Sequence, residues 1–532
     1  MPTSRRTILE KLAAATVAAG VGSSVVADRA VGAAASLEGE YDYDVTETLA
    51  IDSFDDTTLE ASLYEPTDEN SRPAILMTHG WGGTRADREP LAELYASNGY
   101  VVLTYDSRGF GDSGGAVGVD GPNEVRDAQR LLTWLAERES VLTDNGGDPT
   151  VGMDGYSYGA GIQLMTAIED DRLDALVPRW GWHDLRFSND PNRVLKWAWF
   201  YGLYLSGVEN GTLDDEFLKL SEAAIEEKSA GDELREFWRS RSPVGRLGAI
   251  DVPTLLISGW DDRLFSPNEV LRNYQGLADS TEARLLMYNY GHDYVEFEGD
   301  GPELQTEYAD RSALAWMDAH LKSESEDEGK NESESEGEND ADIAPVTLYR
   351  AESEAFEEYD ALPERADALS LAMASEKGAS RLQVGGEESV SFEFDPQEAV
   401  DLVGVPRLWL SATPTGGEGT ALFSGLEDVS PDGEATLIKE QVAATRVERE
   451  GLLAFDLIGI EHHLPADHTL RLTLTVIDDG LVEEGVPFEG GLHVDSDAPA
   501  DVVLKHSPGQ PSVLAVPTSE GTIEVTGKPG KG

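Results

Sequence analysis

A serine, an aspartate and a histidine, each just beyond a stretch that reads as a buried strand, are the residues of this chain best placed for chemistry. The serine is Ser157, in Gly155-Tyr156-Ser157-Tyr158-Gly159. A short, mostly apolar run at 149–154 precedes it, and apolar residues at helical spacing follow through 168. Strand, G-x-S-x-G, helix is the context of a nucleophile elbow, a turn too tight for side chains at its flanking positions. Such a turn pushes the Ser157 hydroxyl out at the carboxyl edge of a sheet, with a helix N-terminus behind it to favour developing negative charge. The same five residues also describe an ordinary glycine-rich turn with an incidental serine, so the partners decide. A hydroxyl is a poor nucleophile at neutral pH and needs a base and an orienting acid.

In folds built around this elbow the acid follows a later strand and the histidine the last one, in chain order Ser, Asp, His. The strand-like run 252–258 leads into Gly259-Trp260-Asp261-Asp262, and 284–288 leads into Asn289-Tyr290-Gly291-His292. His292 is the expected base, taking the Ser157 proton and giving it to the leaving group. Asp262 is the expected acid, holding the imidazole tautomer; Asp261 is the alternative, less favoured because the acid of a G-x-x-D loop sits at its fourth place. His320 falls in a predicted closing helix and His183 at the entrance of an insertion. His462, His463, His468, His493 and His506 fall in a β-rich region, so only His292 has the required position. The oxyanion would be held by the backbone N–H groups of Tyr158 and Trp81. Trp81 lies in His79-Gly80-Trp81-Gly82-Gly83, where His79 reads as a brace for the loop. Arg108-Gly109-Phe110-Gly111-Asp112-Ser113 reads as loop architecture beside the site.

The elements that must position these groups form an α/β pattern over 36–322, with strand-like runs at 58–64, 74–78 and 100–105 and a helix around 125–138. The alternation breaks between 182 and 250. A Trp/Tyr/Phe-rich run at 193–205 and two charged amphipathic stretches over 214–241 predict a helical cap at about 183–250, closing the mouth of the sheet. Trp197, Trp199, Phe200, Tyr201 and Tyr204 read chiefly as the cap's own core. A helix over 311–321 ends the domain. Residues 323–343 are dominated by Ser, Glu, Asp and Asn, a composition that cannot bury apolar area, so an acidic disordered linker is expected. From 344 to 532 the period is two. Leu408, Leu410 and Ala412 share a face, as do Leu470, Leu472, Leu474 and Val476, which predicts a β-sandwich of jelly-roll type.

Composition narrows the partners. Asp and Glu number 102 against 40 Lys and Arg, a formal net charge of -62 that repels nucleic acid and anionic membranes. Carboxylates recur along the whole chain, as on a protein adapted to molar salt, where screening relieves self-repulsion. The absence of cysteine excludes disulfides and thiolate chemistry. No histidines form an H-x-x-x-H or H-E-x-x-H pair, so no metal or cofactor is indicated. Residues 1–35 open with Arg5-Arg6, continue in an Ala/Val/Gly run and end at Ala33-Ala34-Ala35, as a twin-arginine export signal would. An uncleaved N-terminal anchor is the alternative. The expected location is outside the cell or on its surface.

These motifs resemble the X-prolyl dipeptidyl-peptidase-like serine hydrolases, the family that includes cocaine esterase and glutaryl acylase types. The likeness rests on Asp106-Ser107-Arg108-Gly109 with Ser113-Gly114-Gly115, on the elbow strand 151–159, on Gly259-Trp260-Asp261-Asp262 and on Leu426-Glu427-Asp428-Val429-Ser430-Pro431-Asp432-Gly433. It implies an α/β-hydrolase sheet with a helical cap, followed by a jelly roll, acting on a small ester, amide or peptide through an acyl-enzyme. Many members carry a Pro-Tyr pair where this chain has His79-Gly80-Trp81, which points here to an oxyanion hole of backbone groups alone. The favoured reading is a carboxylesterase or acyl hydrolase. The alternatives are an Xaa-Pro dipeptidyl-peptidase and a cell-surface binding protein with a vestigial hydrolase domain, against which the complete Ser157, Asp262, His292 set argues.

Overall fold

Five- and six-residue runs with no polar alternation suit strands covered on both faces, and such runs form the centre of a ten-stranded sheet. The computed structural model describes residues 37, 39–144, 146–292, 303–322, 343–362, 369–373, 379–383, 389–396, 398–415, 420–476, 502–506, 512–520 and 528–529. The expected signal at 1–35 and linker residues 323–342 lie outside them. Strands β1 (Tyr43–Asp52), β2 (Thr58–Pro66), β3 (Ala74–Thr78), β4 (Val101–Tyr105), β5 (Val151–Tyr156), β6 (Ala175–Arg179), β7 (Thr254–Gly259), β8 (Ala283–Tyr288), β9 (Val346–Arg350) and β10 (Ala355–Tyr359) lie in the order β1-β2-β4-β3-β5-β6-β7-β8-β9-β10. Pairing is parallel from β4 to β9 and antiparallel at both edges.

The pleat divides the apolar side chains between two cores. Ala74, Leu76, Val151, Met153, Leu285 and Met287 point to one face, covered by α2 (Pro122–Ala136), α3 (Tyr158–Glu169) and α8 (Pro267–Leu277). Ile75, Met77, Val177, Ile257 and Leu286 point to the other, covered by α1 (Glu89–Ser97) and α9 (Glu303–Leu321). Between β6 and β7 the chain leaves the sheet as α4 (Leu185–Asn189), α5 (Trp197–Asn210), α6 (Asp215–Glu227) and α7 (Asp232–Ser240). These helices build a separate apolar cluster with Phe110, Trp182 and Phe265 over the strand ends.

One boundary differs from the sequence expectation. The β-sandwich was expected from 344, but β9 pairs in parallel with β8, and β10 closes the edge against β9. Val346 and Leu348 are fully buried in the hydrolase core. A period-two strand beyond the linker is placed by the sheet edge that accepts it, which local sequence does not specify. The remaining all-β region runs from Leu369, with antiparallel strands throughout and its own core around Leu408, Leu410, Leu470, Leu472 and Leu514. It packs on both the sheet layer and the cap: Asn268 of α8 donates to Leu457 O (2.8 Å) and accepts from Gly459 N (2.8 Å), and Val194 joins Ala421, Phe423, Val442 and Ala444. Among the described residues no helix is long and apolar enough to cross a membrane.

Candidate active site

Ser157 occupies the single residue between β5 and α3, at φ 56° and ψ -115°. A side chain there is strained, because Cβ crowds the backbone at positive φ. The turn is fixed on both sides: Ser157 N donates to Arg179 O at 2.8 Å, and Ser157 O accepts from Ala160 N (2.9 Å) and Gly161 N (3.1 Å). A Cβ at Gly159 would stand 2.6 Å from Thr78 O, so α3 can press against the end of β3 only with glycine there. Beneath the elbow, buried Asp154 accepts from Tyr95 Oη (2.7 Å) and from Arg179 Nε (2.8 Å) and Nη2 (2.9 Å). Arg179 also reaches Asp310 at 2.6 Å. Burial works against its charge, but Asp154 and Asp310 outweigh this and hold the guanidinium well above its usual pKa.

The two candidate acids separate cleanly. Asp262 is fully buried; its Oδ2 lies 2.7 Å from His292 Nδ1, while Oδ1 accepts from Leu264 N (3.0 Å) and Phe265 N (2.8 Å). Asp261 points away, to the Lys439 ammonium at 3.3 Å. The loops after β7 and β8 cross in van der Waals contact. A Cβ at Gly291 would lie 2.2 Å from Asp262 Cα, and one at Gly259 only 1.2 Å from Tyr290 O. His292 is buried, with Phe265 edge-on at 4.9 Å and Trp180 at 6.0 Å between ring centroids. Trp180 follows β6 and also touches Tyr156 and Tyr288, filling the gap between the serine strand and the histidine strand. Ser157, Asp262 and His292 therefore all lie beyond the carboxyl ends of β5, β7 and β8.

The loop after β3 is held by His79. Its Nε2 accepts from Ser107 N (3.0 Å) and its Nδ1 donates to Gly80 O (2.7 Å), an arrangement open only to the neutral ring. Burial pushes its pKa below the usual value, in agreement with that tautomer. Trp81 ties that loop to the cap: its indole donates to Leu203 O (2.9 Å), and its ring meets Phe110, Tyr158 and Phe217 edge-on. Tyr158 begins α3, where an N–H has no acceptor within the helix.

Ser157 opens onto a pocket of ≈ 530 Å³, continuous with solvent, walled largely by Trp81, Trp182, Phe200, Leu203, Phe217 and Phe265. Among the described residues its wall carries no Asp, Glu, Lys, Arg or His. Of the cap aromatics, Phe200 and Tyr204 face the pocket, whereas Trp197 and Tyr201 stack on each other at 4.9 Å. Leu264 and Phe265 escaped sequence reasoning; the signal was their place directly after the G-x-x-D loop. Among the described residues the one cluster with metal-ligand types is Glu352, Asp401 and His463 in the all-β region and its approach. Arg350 already pairs with Asp401 at 3.0 Å, and His463 Nδ1 with both carboxylates, so it reads as an ion-pair network.

A mixed sheet with an elbow serine after β5, a buried Asp–His pair after β7 and β8, and a helical cap between β6 and β7 defines an α/β-hydrolase. The model for "X-Pro dipeptidyl-peptidase (S15 family)" matches residues 55–294. Cocaine esterase of Rhodococcus sp. (strain MB1 Bresler) is 22% identical over 333 residues, 53% of this chain and 56% of that protein. The quorum-quenching protein AidA of Acinetobacter baumannii (strain MDR-ZJ06) is 38% identical over 125 residues, 23% of this chain and 40% of that protein. This chain thus spans about half the length of these curated relatives or less. The CocE/NonD family hydrolase of Staphylococcus aureus superposes with a TM-score of 0.67 at 15% identity, over 90% of this chain and 94% of that one. An alpha-amino acid ester hydrolase does so with 0.67 at 16%, over 92% and 98%. The likeness in fold covers cap and all-β region as well as the sheet. The chain is thus similar, over residues 55–294, to the X-Pro dipeptidyl-peptidase (S15) family, and over 90% of its length it shares the fold of a CocE/NonD family hydrolase.

Proposed function

We propose that this chain is a serine hydrolase that cleaves esters of apolar, uncharged acyl groups, with Ser157 as nucleophile, His292 as base and Asp262 as its orienting acid. Ser157 Oγ attacks the carbonyl carbon while its proton passes to His292, and the tetrahedral oxyanion is met by the N–H groups of Trp81 and Tyr158. Collapse breaks the bond to the leaving alkoxide, which takes the proton from His292 and departs as the alcohol. Water then repeats the sequence on the acyl-Ser157 ester and releases the acid. The Asp262 carboxylate stabilises the imidazolium formed in both halves.

The observation that carries the ester reading is the pocket wall. An Xaa-Pro peptide enters with a free ammonium, and burying that charge requires a carboxylate partner. Among the described residues the wall beside Ser157 offers mainly aromatic and aliphatic surface, with Asn189, and no carboxylate. The matched family model favours the peptidase as second reading. Export by a twin-arginine signal, suggested by Arg5-Arg6 and Ala33-Ala34-Ala35, and work in molar salt, suggested by the net charge of -62, complete the proposal.

The test compares a p-nitrophenyl ester with an Ala-Pro anilide in ~3 M KCl, a concentration that screens surface charge beyond roughly 2–3 Å, using the protein and its Ser157→Ala variant. Ester turnover lost in the variant, with the anilide untouched, is the expected result. Anilide turnover at comparable kcat/KM would reverse the ranking. A folded protein that neither turns over an ester nor reacts with a fluorophosphonate would point instead to the binding protein.

A further inference from the structure

The loops bearing Asp262 and His292 are gripped from outside the hydrolase sheet. The grip comes from the strand Ala435–Val447 of the all-β region, which pairs with Thr420–Val429. The register breaks between the pairs Gly425–Val442 and Glu427–Leu437, so residues 438–441 oppose Leu426 alone. A bulge of this kind re-aims side chains and recurs beside active sites. Here Lys439 and Glu440 take φ 56° and 50°, strained values for residues other than glycine.

All three polar side chains of the bulge point at the two loops. Lys439 Nζ donates to Asn289 Oδ1 (3.1 Å) and pairs with Asp261 Oδ1 (3.3 Å), with Glu461 Oε2 at 3.8 Å. Glu440 pairs with Arg263, and Gln441 Nε2 donates to Trp260 O at 2.9 Å. Asp261 adjoins Asp262 in sequence, and Asn289 lies on the short segment between β8 and His292. Glu461 is itself fixed by Arg350, which donates to its Oε1 at 2.8 Å, so the ammonium is anchored before it reaches either loop. From the cap side Lys196 Nζ donates to Arg263 O (2.8 Å) and Leu264 O (3.1 Å). The acid loop is thus held at both ends, one of them by a domain that supplies no member of the Ser–His–Asp set.

We propose that Lys439 is a positioning residue for the reaction: one ammonium bridges the acid loop and the base loop and fixes the Asp262–His292 pair in the orientation Ser157 requires. The proposal rests on the triad reading above. Simple adhesion between domains needs no such bridge, since Asn268 already makes contacts to Leu457 and Gly459 that touch neither loop.

The experiment measures kcat, KM, the rate of Ser157 labelling by a fluorophosphonate, and the melting temperature. It compares Lys439→Met, Lys439→Arg, Asp261→Asn and Asn268→Ala in the full-length protein. A misplacement of about 1 Å costs up to ~100-fold in rate. Lys439→Met should therefore lower kcat and labelling together by about 10- to 100-fold with KM unchanged, and Lys439→Arg should recover most of the loss. Asp261→Asn, which cuts only the acid-loop half of the bridge, should cost up to about tenfold. Asn268→Ala should lower the melting temperature and leave kcat and labelling alone. Wild-type kcat and labelling in both Lys439→Met and Asp261→Asn, or equal losses in Asn268→Ala, would overturn the proposal. Labelling separates the two levels of argument. A protein that labels at Ser157 but turns over no ester or anilide refutes the substrate assignment, while the Lys439 effect on labelling is still read.

Discussion

Replacing Ser157 by glycine and by alanine should invert the usual order of stability. At an ordinary position glycine is the weaker choice by about 0.5–1 kcal/mol, because its unfolded chain is freer. At φ 56° and ψ -115° a Cβ is what the backbone resists, at roughly 1–2 kcal/mol for a left-handed conformation. Taken from the middle of each range, the difference leaves Ser157→Gly more stable than Ser157→Ala by about 0.7 kcal/mol. For a domain of this size that is roughly 1–4 °C in Tm. Both variants lack the hydroxyl, so the comparison isolates the backbone from the chemistry. Urea unfolding at one fixed KCl concentration, followed by tryptophan fluorescence, reads the difference as a shift in midpoint at constant slope. Equal midpoints, or a more stable alanine variant, would refute the strained elbow, and with it the account of how Ser157 is presented to the pocket.

The two aspartates of the acid loop should differ by orders of magnitude. Asp262→Asn removes the carboxylate that faces His292 and should lower kcat by about 10⁴-fold, while Asp261→Asn should stay within about tenfold; steady-state kinetics on one ester decides. His79 should make stability depend on pH. Burial holds its folded pKa below the usual 6.5, so the unfolded chain takes up a proton first. The stabilisation is complete above pH 6.5 and is lost as pH falls through the folded pKa. His79→Gln should flatten the fall in unfolding free energy below that pH, by at most about 1.4 kcal/mol per pH unit. Identical slopes would mean the ring is not held neutral.

What was legible in the sequence was the chemistry carried by short-range pattern. Gly155, Gly159, Gly259 and Gly291 mark places where backbone meets backbone, and a close approach leaves glycine as its signature. The strand-ending positions of Ser157, Asp262 and His292 followed from apolar runs too continuous for anything but a buried sheet. Choosing between Asp261 and Asp262 by motif position agrees with the hydrogen bond to His292, but the sequence held no sign of where Asp261 goes instead. Lys439 was invisible, since its environment comes from a register break and from loops some 150 residues away in the chain. Phe200 and Tyr204 could not be told from Trp197 and Tyr201, because which face of a helix meets a pocket depends on how the cap is set down. The strands β9 and β10 were assigned to the wrong layer for a related reason: alternation fixes which face is buried and says nothing about which sheet.

That last displacement changes what the acidic segment separates. The hydrolase sheet is closed by chain that lies on the far side of residues 323–342, with β9 hydrogen-bonded along β8 and Val346 and Leu348 in the core. Covalent order and structural unit therefore do not coincide. A nick in that segment would cut the polypeptide without parting the domain, since the downstream fragment keeps its edge of the sheet and, through Lys439, its hold on the acid loop. A truncation ending at 322 would instead expose β8 as a bare apolar edge, an invitation to pair with another molecule. The minimal catalytic unit of this chain is consequently not the stretch that ends at residue 322.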